Sequence, residues 1–110
     1  MARFVKGDVV VVPFPYSDLS KAKRRPALVL ANLKGEDVVL CQITSQARDD
    51  EYAIAVKEKD FETGELKRNS YIRAGRLFTV DNNIILYSVG KLKKSILDKV
   101  MNRVIEMIKN

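Results

Sequence analysis

The sequence predicts a mainly β (β+α) protein, in which a small and strongly curved antiparallel sheet or barrel is followed by one C-terminal α-helix. Five or six short β-branched segments lie between residues 8 and 90 and are separated by turn residues. From Leu92 to Ile108 the apolar residues recur at three- and four-residue spacing, which is the pattern of an amphipathic helix. The length of 110 residues suits a single domain, 1–110, with one hydrophobic core.

The predicted strands are runs of β-branched and aromatic residues bounded by Gly, Pro, Asp and Asn. The first is apolar on both faces and ends at Pro13 and Pro15, because proline donates no hydrogen bond to a ladder. The second follows a polar loop at 16–25 and begins at Pro26, where the missing N–H matters least. We place the strands at 8–14, 26–32, 38–44, 52–57, about 70–80 and 84–90.

Three finer features follow from the pattern within these segments. Alternation in the third strand puts Val38, Leu40, Gln42 and Thr44 on one face, and Val39, Cys41 and Ile43 on the other. Gly75 interrupts the strand at 70–80 and indicates a bulge or a close backbone approach. The charged segment 58–69 predicts a loop with one helical turn, and Ser95 is a candidate cap for the helix.

The composition is typical of a globular protein that is biased towards binding polyanions. Hydrophobic residues make up 46% and charged residues 31% of the chain, and 20 Lys+Arg against 14 Asp+Glu give a net charge of +6. No apolar run reaches the roughly 18 residues of a membrane span, and the N-terminus has no hydrophobic signal segment. We therefore expect a cytoplasmic protein with no membrane partner. Cys41 lies alone in an apolar run, which predicts a buried thiol.

The absence of histidine restricts the chemistry that the chain can perform. It removes the usual general base and the commonest metal ligand. The sequence also contains no Gly-rich phosphate cradle, no metal-ligand spacing and no dinucleotide-binding fingerprint. We expect no metal and no cofactor, so any catalysis would use Arg, Lys, carboxylates, hydroxyls and Tyr.

A basic stretch directly before the second strand is the first candidate site. It contains Lys21, Lys23, Arg24 and Arg25. Such a stretch either binds phosphate or is a solvated turn. Arg25 adjoins the strand and would be the most firmly positioned of the four, and the planar guanidinium of an arginine can bind two phosphate oxygens at once.

Further polar residues lie at or near the ends of the predicted strands. The third strand ends in Thr44, Ser45 and Gln46, which either bind a phosphate or begin a turn. Arg73 and Arg76 lie in a strand-like segment and face either a cleft or the solvent. Tyr16 adjoins the basic stretch and either stacks on a base of single-stranded RNA or anchors the loop.

Four segments, taken in order, resemble the MazF/PemK toxins, and the last resembles the PemK-like branch in particular. They are Gly7–Val12, Arg25–Leu30, Ile43–Gln46, and Ser70–Asp81 followed by Val89–Leu92. The resemblance spans essentially the whole chain. It implies a small SH3-like antiparallel β-barrel with helices, a homodimer, and an antitoxin that blocks the RNA site. It also implies an endoribonuclease that cuts single-stranded RNA (mRNA) at short motifs without a metal, leaving 2′,3′-cyclic phosphate and 5′-OH ends.

The resemblance assigns a role to three residues of this chain. Arg25 matches the family's catalytic arginine, Thr44 matches the threonine that holds the scissile phosphate, and Arg73 matches the arginine of the PemK-type site. RNA contacts are expected from the polar residues near these three, namely Tyr16, Ser20, Lys21, Lys23, Arg24, Ser45, Gln46 and Arg76.

Two positions depart from the family pattern and leave the general base open. Gly75 stands where the branch often has an acidic residue, and Ser20 stands where MazF-type members often have a glutamate. Asp18 or Asp81 is the candidate base, or catalysis relies on electrostatics and orientation alone. The alternatives are a binding protein on the same fold, either a gyrase poison of the CcdB kind or an RNA binder that does not cleave, and a housekeeping SH3-like RNA-binding module.

Overall fold

The computed structural model describes residues 4–14, 23–46 and 49–110. In this part of the chain, seven β-strands are followed by one α-helix. The strands are β1 (Asp8–Phe14), β2 (Lys23–Asn32), β3 (Asp37–Thr44), β4 (Ala53–Val56), β5 (Phe61–Gly64), β6 (Ser70–Asp81) and β7 (Tyr87–Leu92), and the helix is α1 (Lys94–Lys109). Short 3-10 turns lie at Glu58–Asp60 and Asn82–Ile84.

The seven strands form one antiparallel sheet in the order β4-β6-β3-β2-β1-β7-β5. The sheet is curled into a half-barrel, and within the described residues β4 and β5 are its two edges. The prediction of a mainly β fold with a curved antiparallel sheet and a C-terminal helix is therefore confirmed. In the same ranges, no helix is long and apolar enough to cross a membrane.

Side chains from the two faces of the sheet form two hydrophobic clusters. The first lies under α1 and includes Leu28, Cys41 and Ile72 together with Val100 of the helix. The second lies on the opposite face and consists of Val10, Val12, Ala27, Val29, Val38, Leu40, Val80 and Ile85. The expectation of one core was wrong, because β1 and the centre of β2 alternate between two covered faces and are buried on both.

The predicted alternation of β3 is confirmed by these clusters, since Cys41 and Ile43 belong to the first, whereas Val38 and Leu40 belong to the second. Cys41 is fully buried as expected, and burial raises the pKa of its thiol to about 12. The predicted bulge at Gly75 is also confirmed. Between the pairs Cys41–Leu77 and Gln42–Arg73, residues 74–76 have no partner on β3.

The second strand begins three residues earlier than predicted. Residues 23–25 pair with β1, so the end of the basic stretch belongs to the sheet and not to a loop. Pro26 consequently lies inside the strand. Its missing N–H is tolerated there because the ladder between β2 and β3 begins only at the pair Ala27–Gln42.

Three other boundaries differ from the predictions. The segment 58–69 contains the predicted helical turn but also β5, an edge strand in which only Phe61 is buried. β7 begins at Tyr87 and not at 84, because Asn82–Ile84 form a 3-10 turn whose cap is Asp81. Ser95 does not cap the helix, since it lies inside the first turn and the cap residue is Lys93, which makes no side-chain capping bond.

Candidate functional site

The register of the sheet brings four polar side chains to one face. Gln42 pairs with Ala27 on one side and with Arg73 on the other, so these three residues point to the same face. Side chains two residues apart on a strand share a face, which adds Thr44 to this set from β3 and Arg25 from β2. This is the face of the second cluster, which α1 does not cover.

A groove of about 550 Å³ lies at the end of this face. We call it the arginine groove, and the described residues that line it are Phe14, Arg25, Gln42, Thr44, Ser45, Gln46, Arg73 and Arg76. It brings together the three residues that the resemblance marks as catalytic and three of the predicted RNA contacts. Its described lining contains three guanidinium groups and no carboxylate, so it is a strongly cationic site.

Thr44 is positioned by a local turn at the end of β3. Its Oγ1 accepts a hydrogen bond from the backbone N–H of Gln46 at 3.2 Å. This bond uses a lone pair of the hydroxyl and leaves its proton available to donate. An O–H aimed from a strand end into a cationic groove is suited to hold a phosphate oxygen.

Arg73 is held by an ion pair with a carboxylate that the sequence did not indicate. Its Nε donates to Oδ2 of Asp50 at 2.9 Å, and the two side chains are 23% and 14% exposed respectively. Among the described residues no hydrogen bond occupies the two terminal nitrogens of Arg73, which lines the groove. The ion pair therefore orients the guanidinium and leaves its terminal N–H groups for a ligand.

Asp50 is itself held by several contacts. Its Oδ1 accepts the N–H of Tyr52 at 3.0 Å, and its backbone oxygen accepts the N–H of Ala53 at 3.1 Å. Nη1 of Arg103 on α1 donates to the backbone oxygen of Glu51 at 3.2 Å, which fastens this loop to the helix. The hydrogen bond from Arg73 is the main reason why the pKa of Asp50 lies below its ordinary value of 3.8.

The glycine that departs from the family pattern does not open into the arginine groove. A Cβ placed on Gly75 would meet Sδ of Met107 on α1 at 3.5 Å. The first atom of any side chain at this position would therefore contact α1. The carboxylate that pairs with Arg73 is that of Asp50, 23 residues earlier.

The other predicted site residues form two groups: some are described but do not line the arginine groove, and the rest lie outside the described residues. Lys23 and Arg24 are exposed on β2 but do not line the arginine groove. Asp81 lies at the far end of β6 from Arg73, where its Oδ1 accepts the N–H of Asn83 at 2.8 Å. The four remaining candidates, Tyr16, Asp18, Ser20 and Lys21, lie outside the described residues. Within 4–14, 23–46 and 49–110, no group of three or more metal-binding side chains is found.

The Asp50–Arg73 pair predicts a pH-dependent stability. Since the pKa of Asp50 is lower in the folded than in the unfolded chain, its stabilisation is complete above pH 3.8 and is lost as the pH falls through the folded-state value. Asp50→Asn should lower the free energy of unfolding by roughly 1 kcal/mol at pH 7. The difference from wild type should shrink below pH 3.8 in urea titrations.

Asp98→Asn is the matched control for this experiment. Asp98 forms an exposed pair with Lys94 at 3.6 Å on α1, so its loss should cost about 0.5 kcal/mol or less. A wild-type minus Asp50→Asn difference that stays constant down to pH 2.5 would contradict the role given to the Asp50 carboxylate.

Solved structures with the same fold include three that cover nearly the whole chain. MazF from Deinococcus radiodurans is 18% identical and superimposes with a TM-score of 0.76, covering 100% of both chains. A MazE–MazF structure from the same organism is 17% identical, with a TM-score of 0.77 and 98% of each chain covered. An endoribonuclease in complex with its cognate antitoxin from a mycobacterial species is 16% identical, with a TM-score of 0.76, covering 96% of this chain and 95% of that one.

Sequence comparison gives the family. No curated protein sequence matches the chain. A family model described as "PemK-like, MazF-like toxin of type II toxin-antitoxin system" matches residues 5–108, which is nearly the full length. The resemblance noted from the four segments is thereby confirmed. The chain belongs to the PemK-like, MazF-like toxins of type II toxin–antitoxin systems.

Proposed function

We propose that this protein is a toxin endoribonuclease that cuts single-stranded RNA in the arginine groove. The observation that carries the proposal is the convergence of Arg25, Thr44 and Arg73 in one cationic groove. The endoribonuclease named among the solved structures with this fold supports the reaction class. An exposed groove with cations and hydroxyls suits a phosphodiester, because half or more of the contacts that proteins make with nucleic acids go to phosphate and sugar.

The proposed reaction is an internal transfer at phosphorus. The ribose 2′-oxygen forms a bond to the adjacent phosphorus, and the P–O5′ bond breaks, so the products are a 2′,3′-cyclic phosphate and a 5′-OH end. The 2′-OH loses its proton and the departing O5′ gains one, so the reaction consumes no water. We expect it to proceed without a metal. The intermediate carries extra negative charge on its non-bridging oxygens, which a catalytic site must stabilise.

Each groove residue has a separate part in this reaction. Arg25 would bind two non-bridging oxygens with its planar fork and stabilise the charge that develops on them. Arg73, held at Nε by Asp50, would present its terminal nitrogens to the same phosphate. Thr44 would donate its hydroxyl proton and fix the orientation of the phosphate.

None of these residues is assigned as the general base that accepts the 2′-OH proton. The described lining of the groove contains no carboxylate, Asp50 is engaged with Arg73, and Asp81 caps a turn elsewhere. We therefore attribute most of the rate to charge stabilisation and orientation. Asp18 stays a predicted base, with the 2′-OH proton otherwise passing to water.

The proposal includes the partners and the setting of a type II toxin. We expect a homodimer of one-domain chains in the cytoplasm, and an antitoxin that covers the arginine groove. An endoribonuclease bound to its cognate antitoxin and a MazE–MazF structure, both of this fold, support such a complex. The cationic groove would attract acidic groups of an antitoxin for the same electrostatic reason that it attracts RNA.

The experiment that tests the proposal is cleavage of a single-stranded RNA by the purified protein in the presence of EDTA. We expect cutting to continue, and the fragments to carry 2′,3′-cyclic phosphate and 5′-OH ends. Primer extension on a long transcript would map the cut sites. Loss of cutting on chelation, or fragments that carry 5′-phosphate, would overturn the mechanism.

One observation favours a second candidate, an RNA binder that does not cleave. It is the absence of a carboxylate from the described lining of the groove. The same assay separates the two candidates, because such a protein would bind the transcript in a salt-dependent manner and leave it intact.

A further inference from the structure

We propose that a second pocket, next to the arginine groove, binds a nucleotide that adjoins the scissile phosphate. This inference rests on the proposed function, since it extends the substrate-binding surface of the same site. We call it the side pocket and define it by Arg24, Pro26, Leu66, Lys67, Arg68 and Tyr87. It has a volume of about 380 Å³, which lies in the ordinary range for small-ligand sites.

The side pocket and the arginine groove meet at the same residues. Arg25 and Ser45 line both of them. The side pocket lies against Ile43 and Leu66, which belong to or pack on the helix-side cluster, so it is on the other face of the sheet. The two sites can share Arg25 because the β2–β3 ladder ends at Ala27–Gln42, before this residue. An RNA strand whose phosphate contacts Arg25 therefore has its neighbouring nucleotide at the side pocket.

The lining of the side pocket suits a nucleobase. Pro26, Leu66 and Val89 give it apolar walls, and Tyr87 is 45% exposed on β7. Exposed aromatic rings bind the bases of single-stranded RNA by stacking, whatever the base, because every base has a π-face. The sequence pattern did not single out Tyr87, since an isolated tyrosine at a strand start is unremarkable without its neighbours.

The charge around the side pocket suits the backbone of the same nucleotide. Besides Arg25, the described lining contains the cations Arg24, Lys67 and Arg68 against one carboxylate, Glu65. All of them are exposed. Cations around an apolar pocket are the arrangement expected for RNA, in which the base is apolar on its faces and the phosphates are anionic.

The wall that carries Lys67 and Arg68 is fixed at both ends. At one end Gly64 packs directly on β7, and the Glu65 N–H donates to the Val89 oxygen at 3.3 Å. At the other end the buried Ser70 donates its Oγ–H to the Arg68 oxygen at 2.9 Å. A preformed pocket loses little conformational entropy when it binds, which favours its use as a subsite.

The test uses a fluorescent pool of random-sequence 2′-O-methyl oligoribonucleotides, in which the attacking hydroxyl is blocked. Tyr87→Ala should weaken binding by roughly tenfold or more through lost stacking, whereas Tyr87→Phe should stay within about twofold. Lys67→Ala and Arg68→Ala should each reduce the slope of log affinity against log salt by about 0.7. Lys99→Ala, which removes an exposed cation of α1, is the matched control and should change neither quantity.

A crosslinking experiment on the unmodified protein makes the result independent of variant folding. Oligoribonucleotides that contain 4-thiouridine should crosslink, on irradiation, to peptides that contain Tyr87 or residues 65–69. The proposal is overturned if no such crosslink forms, or if Tyr87→Ala and the two cation variants bind the pool as wild type does. It is also overturned if Tyr87→Ala weakens only neutralisation by the antitoxin, which would assign the pocket to that protein.

Failure of the proposed function would give a different pattern. If the wild-type protein binds the pool and crosslinks at the side pocket but leaves transcripts intact, the cleavage proposal fails and the side pocket stands. If the wild-type protein cuts RNA with the predicted ends while Tyr87→Ala binds and cuts normally, the side pocket fails and the cleavage proposal stands.

Discussion

Arg25→Ala is expected to lower the rate of RNA cleavage by roughly two to three orders of magnitude, because removal of one charge-stabilising group from an acyl- or phosphoryl-transfer site has effects of this size. The side chain is exposed, and no hydrogen bond or ion pair joins it to the described part of the chain. Its loss should therefore change the free energy of unfolding by no more than about 0.5 kcal/mol. Single-turnover cleavage and urea unfolding of the same preparation would measure both quantities.

Two further variants make the Arg25 experiment specific. Arg25→Lys keeps the positive charge but loses the planar fork, so its rate should fall between those of wild type and Arg25→Ala. Lys99→Ala removes an exposed cation from α1 and should cleave at the wild-type rate. Wild-type cleavage by Arg25→Ala would show that this residue does not contact the reacting phosphate. Equal losses in Arg25→Ala and Lys99→Ala, with Arg25→Lys at the wild-type rate, would indicate a general effect of net charge.

Gly64→Ala is expected to destabilise the fold more than any other glycine-to-alanine change at a positive φ. Gly64 has φ +73°, and a Cβ on it would lie 2.0 Å from the Val89 oxygen and 2.5 Å from Cα of Gly90. The backbones of β5 and β7 would have to separate to admit the methyl group. We expect a loss of about 3 kcal/mol or more in the free energy of unfolding, from overpacking and backbone strain together.

Gly35→Ala separates the two causes. Gly35 has φ +87°, but a Cβ there would meet nothing within 4 Å, so only the strain of the left-handed conformation applies. The expected loss is about 1 kcal/mol. The difference between the two variants in urea unfolding measures the collision of β5 with β7. Equal losses would mean that the two strands part without significant cost.

The sequence predicted the structure best where apolar side chains recur at regular spacing. The β-branched run Val9–Val12 predicted a strand buried on both faces, and alternation assigned Cys41 and Leu40 to the correct sides of β3. It was least informative at β5, an edge strand whose residues after Phe61 are polar or glycine. Such a strand is stabilised by the pairing of its backbone with β7. This pairing cannot be predicted from the pattern of side chains.

The residues of the candidate site also differ in how far the sequence could predict them. Arg25 and Thr44 are marked by their positions beside strands and by the family resemblance, and both line the arginine groove. Asp50 could not be found from the sequence, because its partner Arg73 is 23 residues away and reaches it only when β4 pairs with β6. Asp81 was a candidate base because it is acidic, but its local turn already uses the carboxylate.

The end of the β2–β3 ladder has a consequence for the shape of the substrate. Beyond the pair Ala27–Gln42, the groove and the side pocket lie on opposite faces of the sheet and meet at Arg25. An RNA that occupies both must bend from one face to the other, within one nucleotide step, where β2 and β3 separate. A base-paired duplex is too stiff for this bend unless its bases unstack and unpair. The point at which β2 and β3 stop pairing would thus favour a narrow and flexible substrate. This preference would need no contact that recognises a particular base.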